Sequence, residues 1–377
     1  MIVAGEASGD LYGATLASEF RSLAPSTRLI GMGGDRMRAA GVETLVDANE
    51  MAVMGLVEVL GHLPVIVRGF TRLKRRLLSD PPRLLILIDY QDFNQRLAKV
   101  AKRAGIKVLF FISPTVWAWR SGRVKQIGEA VDMMAVLFSF EVPYYERENV
   151  PVSFVGHPLV DMVPPALDRN RAKTELGLDP ARRCVGLFPG SRKSVLKRLL
   201  PVILESAALL KSRMPELEFV LPLAASLRPE DIEPQLKESG LSVTMISGRN
   251  HDVMSACDAA ISVSGTVIME LALVGVPTVL IYKVSPLTYQ IGKRVINVPH
   301  IGICNIVAQK RLIKELIQDE ANAQAIAAEV DALLNDAAYA SQVRAGLSGV
   351  REKLGSGGAL ERLARLAIEM IDKDATR

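Results

Sequence analysis

Short aliphatic runs alternate with longer amphipathic segments along most of the chain, and this alternation restricts the fold more than any other feature. The runs have the length of β-strands and lack the alternating polar residues of a half-exposed strand. Strands of that kind are buried on both faces, which is typical of parallel sheets covered by helices. Besides a short strand at the start of the chain, we predict strands at residues 84–88, 107–112, 152–155, 184–188, 219–223, 259–263 and 278–282.

The length of 377 residues predicts two domains, because one hydrophobic core rarely serves so long a chain. The alternation weakens between residues 156 and 181, where prolines and turn-forming residues accumulate. We therefore predict an α/β protein with two Rossmann-like parallel-sheet domains, residues 1–165 and 166–340. Residues 341–377 form a predicted helical tail with a glycine break at 355–358, which packs back on the first domain or on a partner chain.

The charge balance excludes some classes of partner. Lys and Arg outnumber Asp and Glu by 46 to 41, a small excess that suits phosphorylated ligands or an anionic membrane surface better than nucleic acid. The three cysteines are far apart and the four histidines lack ligand spacing, so we expect no disulfide framework, no metal and a reducing cytoplasm. The N-terminus lacks signal-peptide features, and polar residues and Pro64 interrupt the apolar segment 51–67, which argues against a membrane span.

The clearest candidate for acid–base chemistry is Asp89, which follows the aliphatic run 84–88 directly. Ligands of open parallel sheets bind beyond the carboxyl ends of the strands, where this carboxylate is expected to lie. Asp92 follows in the loop or the first turn of the next helix. Each aspartate is as well explained by a helix cap or a salt bridge, and position alone does not choose between these roles.

Two stretches in the second half predict a site for a nucleotide diphosphate. In LFPGSRKS and in SVSGTVIMEL a strand runs into small residues and then a helix, so backbone N–H groups of the helix start would face a phosphate. Glu270 lies one helical turn after Thr266 and would accept hydrogen bonds from ribose hydroxyls. Ordinary strand-to-helix loops are the alternative. The candidate residues are Gly190, Ser191, Arg192, Ser264, Gly265, Thr266 and Glu270.

Three stretches in the first half are candidates for acceptor or lipid binding. GEASGD contains Ser8 and Asp10 at a helix start, although a plain turn explains it equally well. The apolar segment 51–78, with Met54 and Val57, ends in basic residues and fits either a membrane interface or a buried helix with a basic outer face. Trp117 and the neighbouring Arg120 suit a sugar or phosphate contact, or a domain core.

Taken in order, these stretches resemble the lipid-A-disaccharide synthase family, bacterial inverting glycosyltransferases of the GT-B type. The resemblance rests on GEASGD, AVMGLVEVLG, LILIDYQDFN, SPTVWAWR, VGHPLVD, LFPGSR, SGTVIMELAL, ICNIVA and LIKELIQ, which span nearly the whole chain. The chain differs from the family pattern at Cys304, where proline is common, and in DYQDFN, where the family has DAPDFN.

The resemblance implies two domains that face each other across a cleft and a defined reaction. UDP-2,3-diacylglucosamine would donate its sugar to 2,3-diacylglucosamine 1-phosphate, forming a β-1,6 disaccharide and UDP. The catalytic base falls on Asp89, the arginine of the nucleotide site on Arg192 and an important asparagine, which we assign to the nucleotide site, on Asn305. We assign the acceptor and lipid to Ser8, Asp10, Met54, Val57, Trp117 and Arg120.

The implied setting is the cytoplasmic face of the inner membrane, with the protein bound peripherally and a homodimer possible in this family. No metal or other cofactor is expected, since DYQD lacks the D-x-D spacing of metal-dependent transferases. Three alternatives stay open on the sequence: a UDP-N-acetylglucosamine 2-epimerase, a non-enzymatic lipid or nucleotide carrier, and an NAD-dependent oxidoreductase. The last is disfavoured because no G-x-G-x-x-G motif is present.

Overall fold

The computed structural model describes residues 1–51, 56–117, 122–295 and 298–375. The chain divides into two compact units. The first unit consists of Met1–Pro158 and Leu354–Arg377, and the second unit of Leu159–Lys353.

The first unit contains a parallel sheet of seven described strands, in the order β3-β2-β1-β4-β5-β6-β7. Contacts with the central strand β4 come from helices α1, α5 and α18. The elements are β1 (Ile2–Ala4), α1 (Ala7–Leu23), β2 (Ile30–Gly33), α2 (Asp35–Ala39), β3 (Glu43–Asp47), α3 (Ala48–Met51), α4 (Leu56–Ser79), β4 (Leu84–Ile88), α5 (Gln91–Arg103), β5 (Lys107–Phe111), α6 (Arg123–Gly128), β6 (Met133–Val136), α7 (Val142–Glu146), β7 (Val152–Phe154) and, from the end of the chain, α18 (Ala359–Ala375).

The second unit contains a parallel sheet of six described strands, in the order β10-β9-β8-β11-β12-β13. Its elements are α8 (Leu159–Met162), α9 (Arg169–Glu175), β8 (Cys184–Phe188), α10 (Lys193–Arg213), β9 (Glu218–Leu223), α11 (Glu233–Ser239), β10 (Thr244–Ser247), α12 (Asn250–Ala256), β11 (Ala259–Val263), α13 (Thr266–Val274), β12 (Thr278–Tyr282), α14 (Pro286–Val295), α15 (Ile303–Ala308), β13 (Glu315–Ile317), α16 (Ala323–Asn335) and α17 (Ala337–Lys353).

Every residue of β4, β8 and β11 is buried, which explains their uninterrupted aliphatic sequences. Leu85 and Leu87 belong to the hydrophobic cluster that also contains Leu97 of α5. Ile88 points to the opposite face, because a side chain at Gly9 of α1 would contact it. Both faces of β4 are therefore covered, and polar residues enter the chain only where the strand ends.

The predicted two parallel-sheet domains are confirmed, but their boundaries differ from the prediction. The first unit ends at Pro158 rather than at 165, because α8 packs against α13 of the second unit. Residues 341–353 also belong to the second unit, since α17 packs against α13, α15 and α16. The final segment, which begins at Leu354, belongs to the first unit, where α18 packs against α1.

Candidate active site

The carboxyl edge of the first sheet brings several turns side by side. Ile88 pairs in register with Ala4 on one side and with Phe111 on the other. The residues that follow these three strand ends, Gly5, Asp89 and Ile112, therefore lie at the same edge. This is the edge at which open parallel sheets bind ligands.

The backbone at this edge is strained. Asp89, Tyr90 and Ile112 have positive φ angles of 48°, 47° and 72°, a region that non-glycine residues avoid and a β-branched residue most of all. The Asp89 N–H donates to the Phe111 carbonyl at 3.0 Å, and Asn94 Nδ2 donates to the Asp89 carbonyl at 2.7 Å. Such strain persists only where surrounding contacts impose it, and it concentrates at functional sites.

The Asp89 side chain is largely withdrawn from water. Its burial raises the pKa of the carboxyl group, and the hydrogen bond that Gln91 Nε2 donates to Asp89 Oδ1 at 3.1 Å opposes that rise. A carboxylate with a raised pKa at the ligand edge of a sheet has the properties of a general base. Asp92, by contrast, is exposed in the first turn of α5.

A second buried carboxyl group lies near the same edge and was missed from the sequence. Glu141 is 3 % exposed, accepts from Trp117 Nε1 at 3.2 Å and from the Phe138 N–H at 3.1 Å, and burial raises its pKa to about 7. Trp117 also packs edge-on against Phe140, with ring centroids 5.4 Å apart. Glu141 thus fixes the indole predicted to contact the acceptor, and nothing in SFEVPYYE signals this role.

The structure gives Asp10 a structural role. Its Oδ1 accepts from the N–H groups of Gly34 and Met37, and its Oδ2 accepts from the Arg36 N–H, at distances of 2.6 to 3.1 Å. Asp10 is buried and caps the start of α2, so its oxygens face backbone rather than the ligand edge. Ser8 is exposed in the first turn of α1.

Three other predicted positions in the first half are not described fully. Met54 and Arg120 lie outside the described residues, and so does the side chain of Val57. Their assignment to acceptor and lipid binding stays a prediction.

The second unit contains a pocket of about 280 Å³ at the carboxyl ends of β8, β9 and β11. Seven of the predicted nucleotide-site residues line it: Gly190, Ser191, Arg192, Ser264, Gly265, Thr266 and Glu270. The two stretches chosen from the sequence therefore meet in one cavity.

Two helices begin at this pocket, and neither has a side-chain cap. Arg192 stands before α10 and Gly265 before α13, so the first N–H groups of both helices are left for a ligand. Gly190 has a φ of 94°, and a side chain there would approach Val263 within 2.9 Å, which explains glycine at this turn. Positive helix ends beside an exposed guanidinium favour a diphosphate.

The structure does not bring Asn305 to the nucleotide pocket, and its assignment to the nucleotide site stays a prediction. Asn305 is fully buried on α15 and does not line the pocket. Its Nδ2 donates to the Ile313 carbonyl and to Glu315 Oε1, while its Oδ1 accepts from the N–H groups of Leu312 and Ile313. All four hydrogen-bonding positions of the amide are occupied, so Asn305 shapes the turn that leads into β13.

The pocket also includes residues that the sequence did not single out. Asn250 and Met254 of α12 line it beside Pro222 of β9, and His251 Nε2 lies 3.5 Å from Glu270 Oε2. Asn250 begins a helix soon after the strand β10, and such a position commonly faces a ligand in a parallel sheet. Because β10 was not predicted from the sequence, this helix start was not recognised.

The described ranges contain neither a cluster of metal ligands nor a membrane-spanning helix. Residues 1–51, 56–117, 122–295 and 298–375 contain no cluster of three or more His, Cys, Asp or Glu side chains able to hold a metal ion. Within those same ranges, no helix has the length and apolar character needed to cross a bilayer.

A family model described as lipid-A-disaccharide synthetase matches residues 1–357. The chain belongs to the lipid-A-disaccharide synthase family. Its relative of that name from Geobacter sulfurreducens is 61% identical over 373 residues, which cover 99% of this chain and 97% of the relative. This lipid-A-disaccharide synthase family member is therefore a glycosyltransferase of lipid A synthesis, and the predicted class of enzyme is confirmed.

Solved structures share the fold of this lipid-A-disaccharide synthase family member at low sequence identity. A putative UDP-N-acetylglucosamine 2-epimerase from Listeria monocytogenes aligns with a TM-score of 0.67 at 12% identity, covering 100% of this chain and 97% of the other. The calicheamicin glycosyltransferase CalG4 aligns with a TM-score of 0.59 at 16% identity, covering 99% and 98%. The predicted GT-B fold class is confirmed.

Proposed function

We propose that this glycosyltransferase moves 2,3-diacylglucosamine from its UDP donor to 2,3-diacylglucosamine 1-phosphate, with inversion at the anomeric carbon. The observation that carries the proposal is the pocket of the second unit, where two uncapped helix starts and Arg192 surround a space suited to a diphosphate. The family membership supplies the lipid A chemistry. The Listeria fold relative is named for a UDP-sugar, UDP-N-acetylglucosamine, which supports uridine diphosphate as the nucleotide.

In the proposed mechanism, Asp89 accepts the proton of the acceptor 6-hydroxyl as that oxygen attacks the anomeric carbon. The bond between the anomeric carbon and the diphosphate breaks on the opposite face, which inverts the configuration. Negative charge develops on the departing UDP, where helix N-termini and Arg192 stabilise it. Because these groups already supply positive charge, we propose that the reaction needs no metal ion, and that a chelator leaves the rate unchanged.

The decisive experiment compares Asp89→Asn with Asp92→Asn in an assay of disaccharide formation from both acylated substrates. Loss of the base is expected to lower the rate about a hundredfold or more. The matched control removes an exposed carboxylate three positions along the chain and should retain nearly full rate. Both variants should bind UDP as the unmodified protein does, since neither residue lines the nucleotide pocket. An Asp89→Asn variant that keeps its rate would remove the assigned base.

We also propose that helix α4 docks on an anionic membrane surface. The large hydrophobic side chains most exposed in the described residues are Leu63, Val67 and Leu78, at 50%, 54% and 53%, and all belong to α4. A groove of about 740 Å³ beside the helix contains Arg68, Arg72 and Arg75 among its lining residues. Apolar side chains beside arginines fit the boundary between acyl chains and anionic head groups.

This docking predicts the effect of replacing two apolar side chains. The double variant Leu63→Gln, Val67→Gln should bind anionic vesicles about tenfold less tightly, since both side chains would enter the interface. Co-sedimentation measures the binding, with Ser18→Gln on α1 as a control at another exposed position. Unchanged vesicle binding by the double variant would place the membrane contact elsewhere. The predicted homodimer is a separate question, which light scattering of the unmodified protein answers.

A further inference from the structure

Gln91, the first residue of α5, connects the two strained strand ends of the first sheet. Its Nε2 lies 3.1 Å from Asp89 Oδ1 and 3.4 Å from the Ile112 carbonyl oxygen. One side-chain amide therefore contacts both the carboxylate after β4 and the left-handed residue after β5. The nucleotide pocket, the motifs and the family comparison assign Gln91 no role.

The orientation of this amide is fixed by its neighbours. If the amide were turned over, its carbonyl oxygen would face Asp89 Oδ1 and the Ile112 carbonyl, and three acceptors would meet without a donor. In the observed orientation Gln91 Oε1 is buried and has no hydrogen-bond partner among the described residues, which is unfavourable for a buried acceptor. The contacts of Nε2 with its two acceptors match an ionised Asp89.

The contacts of Asp89 divide into three groups. Asn94 holds its carbonyl oxygen, the Phe111 carbonyl accepts from its N–H, and Gln91 holds a carboxylate oxygen. The Tyr90 N–H also contacts the carboxylate, so Gln91 supplies its side-chain contact and sets its rotation together with that backbone group. A base held in one orientation loses less freedom when the acceptor hydroxyl arrives.

We propose that Gln91 is a positioning residue for the general base Asp89, whose carboxylate it keeps ionised and oriented through its simultaneous contacts with Asp89 Oδ1 and the Ile112 carbonyl. This inference rests on the proposed function, because it assumes that Asp89 is the base. The pKa of Asp89 is raised by burial and lowered by the Gln91 hydrogen bond, so loss of the amide should let the pKa rise further.

Other charged groups near this edge must be kept constant in a test. They are Glu6 after β1, Asp10 on α1, Asp92 on α5 and Glu141 beyond β6. Variants at position 91 leave all four unchanged. A difference in the pH profile between such variants therefore reports the contact of residue 91 with Asp89.

The test compares Gln91→Met and Gln91→Glu with Gln95→Met, which makes the same substitution one turn further along α5. The pH dependence of kcat/KM for disaccharide formation is measured for each. For Gln91→Met we expect the acidic limb of the kcat/KM profile to move up by about one pH unit, as loss of a hydrogen bond to a carboxylate predicts.

For the same variant we expect kcat at neutral pH to fall about tenfold, because the base is misoriented. In Gln91→Glu two carboxyl groups share the site, so the acidic limb of the kcat/KM profile should move to a still higher pH than in Gln91→Met. Gln95→Met should match the unmodified protein.

Melting temperature and UDP binding are measured on the same variants. An unchanged acidic limb in Gln91→Met overturns the proposal, and so does an activity loss that merely follows a lower melting temperature. Asp89→Asn separates this failure from that of the proposed function. If Asp89→Asn is inactive while Gln91→Met is normal, only the role of Gln91 is lost. If Asp89→Asn is active, the base assignment fails and the role of Gln91 fails with it.

Discussion

Two buried titratable residues of the first unit influence its stability in opposite directions. Burial raises the pKa of Glu141 from 4.5 to about 7 and lowers the pKa of His157 from 6.5 to about 4. Between these values the folded state holds a proton on Glu141 that the unfolded chain releases, so this residue makes stability fall as pH rises. His157 is neutral in the folded state while the unfolded chain binds a proton, so this residue makes stability rise with pH. From pH 4.5 to 6.5 the two effects largely cancel.

In Glu141→Gln the opposing contribution of Glu141 is removed, so the pH dependence of stability should show the contribution of His157. Relative to the unmodified protein, the variant should gain stability as pH rises from about 5 to 7, by an amount on the order of 3 kcal/mol for a full shift of each group. The absolute stability of the variant is lower, because its amide N–H₂ faces the donors of Trp117 and Phe138. Urea unfolding followed by tryptophan fluorescence measures the first unit, since both tryptophans of the sequence, at positions 117 and 119, fall within the range Met1–Pro158. The exposed Glu148→Gln is the control, and parallel pH profiles for the two variants would refute the assignment.

At the level of helices and strands, α10 and α13 each contribute an uncapped N-terminus to the nucleotide pocket. The two starts are neighbours because their preceding strands, β8 and β11, are paired in the sheet. Parallel pairing thus directs two positive helix ends to one place, where Arg192 adds a full charge. Val195 in the first turn of α10 also lines the pocket, and the residues of α10 after it do not.

Arg192→Ala should weaken UDP binding and leave acceptor binding unchanged. Loss of a guanidinium contact to a diphosphate costs about 1.5–3 kcal/mol, which corresponds to roughly a tenfold to hundredfold change in Kd. Titration calorimetry with UDP measures the change, and Arg198→Ala, on the same helix but away from the pocket, should have little effect. Equal weakening for UDP and for the acceptor would show that Arg192 does not belong to a site for the nucleotide alone.

The strands that the sequence predicted correctly are mostly the central ones, whose burial on both faces leaves uninterrupted aliphatic runs. The missed strands include β3, β10 and β13, which lie at sheet edges or are very short, so their sequences carry weaker hydrophobic signals. The predicted strand 107–112 ends at Phe111, because Ile112 is left-handed. Propensity cannot foresee that conformation in a β-branched residue, since tertiary contacts impose it.

The candidate site was predictable where local sequence carried the signal. Small residues between a strand and a helix located the loops of Gly190 and Gly265, and the strand end located Asp89. The sequence could not show that Asp10 caps α2 or that the amide of Asn305 is saturated, because those partners depend on how distant segments pack. Glu141 was not predicted for the same reason, since its burial depends on the fold around it.

At the scale of the whole molecule, the chain leaves its first unit at Pro158 and returns to it at Leu354. The return is anchored by the His157 N–H, which donates to the Leu354 carbonyl at 2.9 Å, and by Arg362 Nε, which donates to the Val155 carbonyl at 2.9 Å. Helix α18 then buries Leu363 against the unit that contains α1. Helix α18 is therefore packed into the first unit rather than an appendage to it.

Leu363→Ala tests this division of the chain. Leu363 is fully buried, and truncation of such a leucine costs about 2–5 kcal/mol through lost burial and the cavity left behind. The cost should fall on the first unit, so amides of β1 and β4 should exchange hydrogen faster while those of β8 and β11 keep their rates. Arg365→Ala removes only an exposed ion pair with Glu361 and should change exchange in neither unit. Equal acceleration in both sheets would mean that the two units unfold as one cooperative body, and no acceleration in β1 and β4 would mean that α18 contributes little to the core it covers.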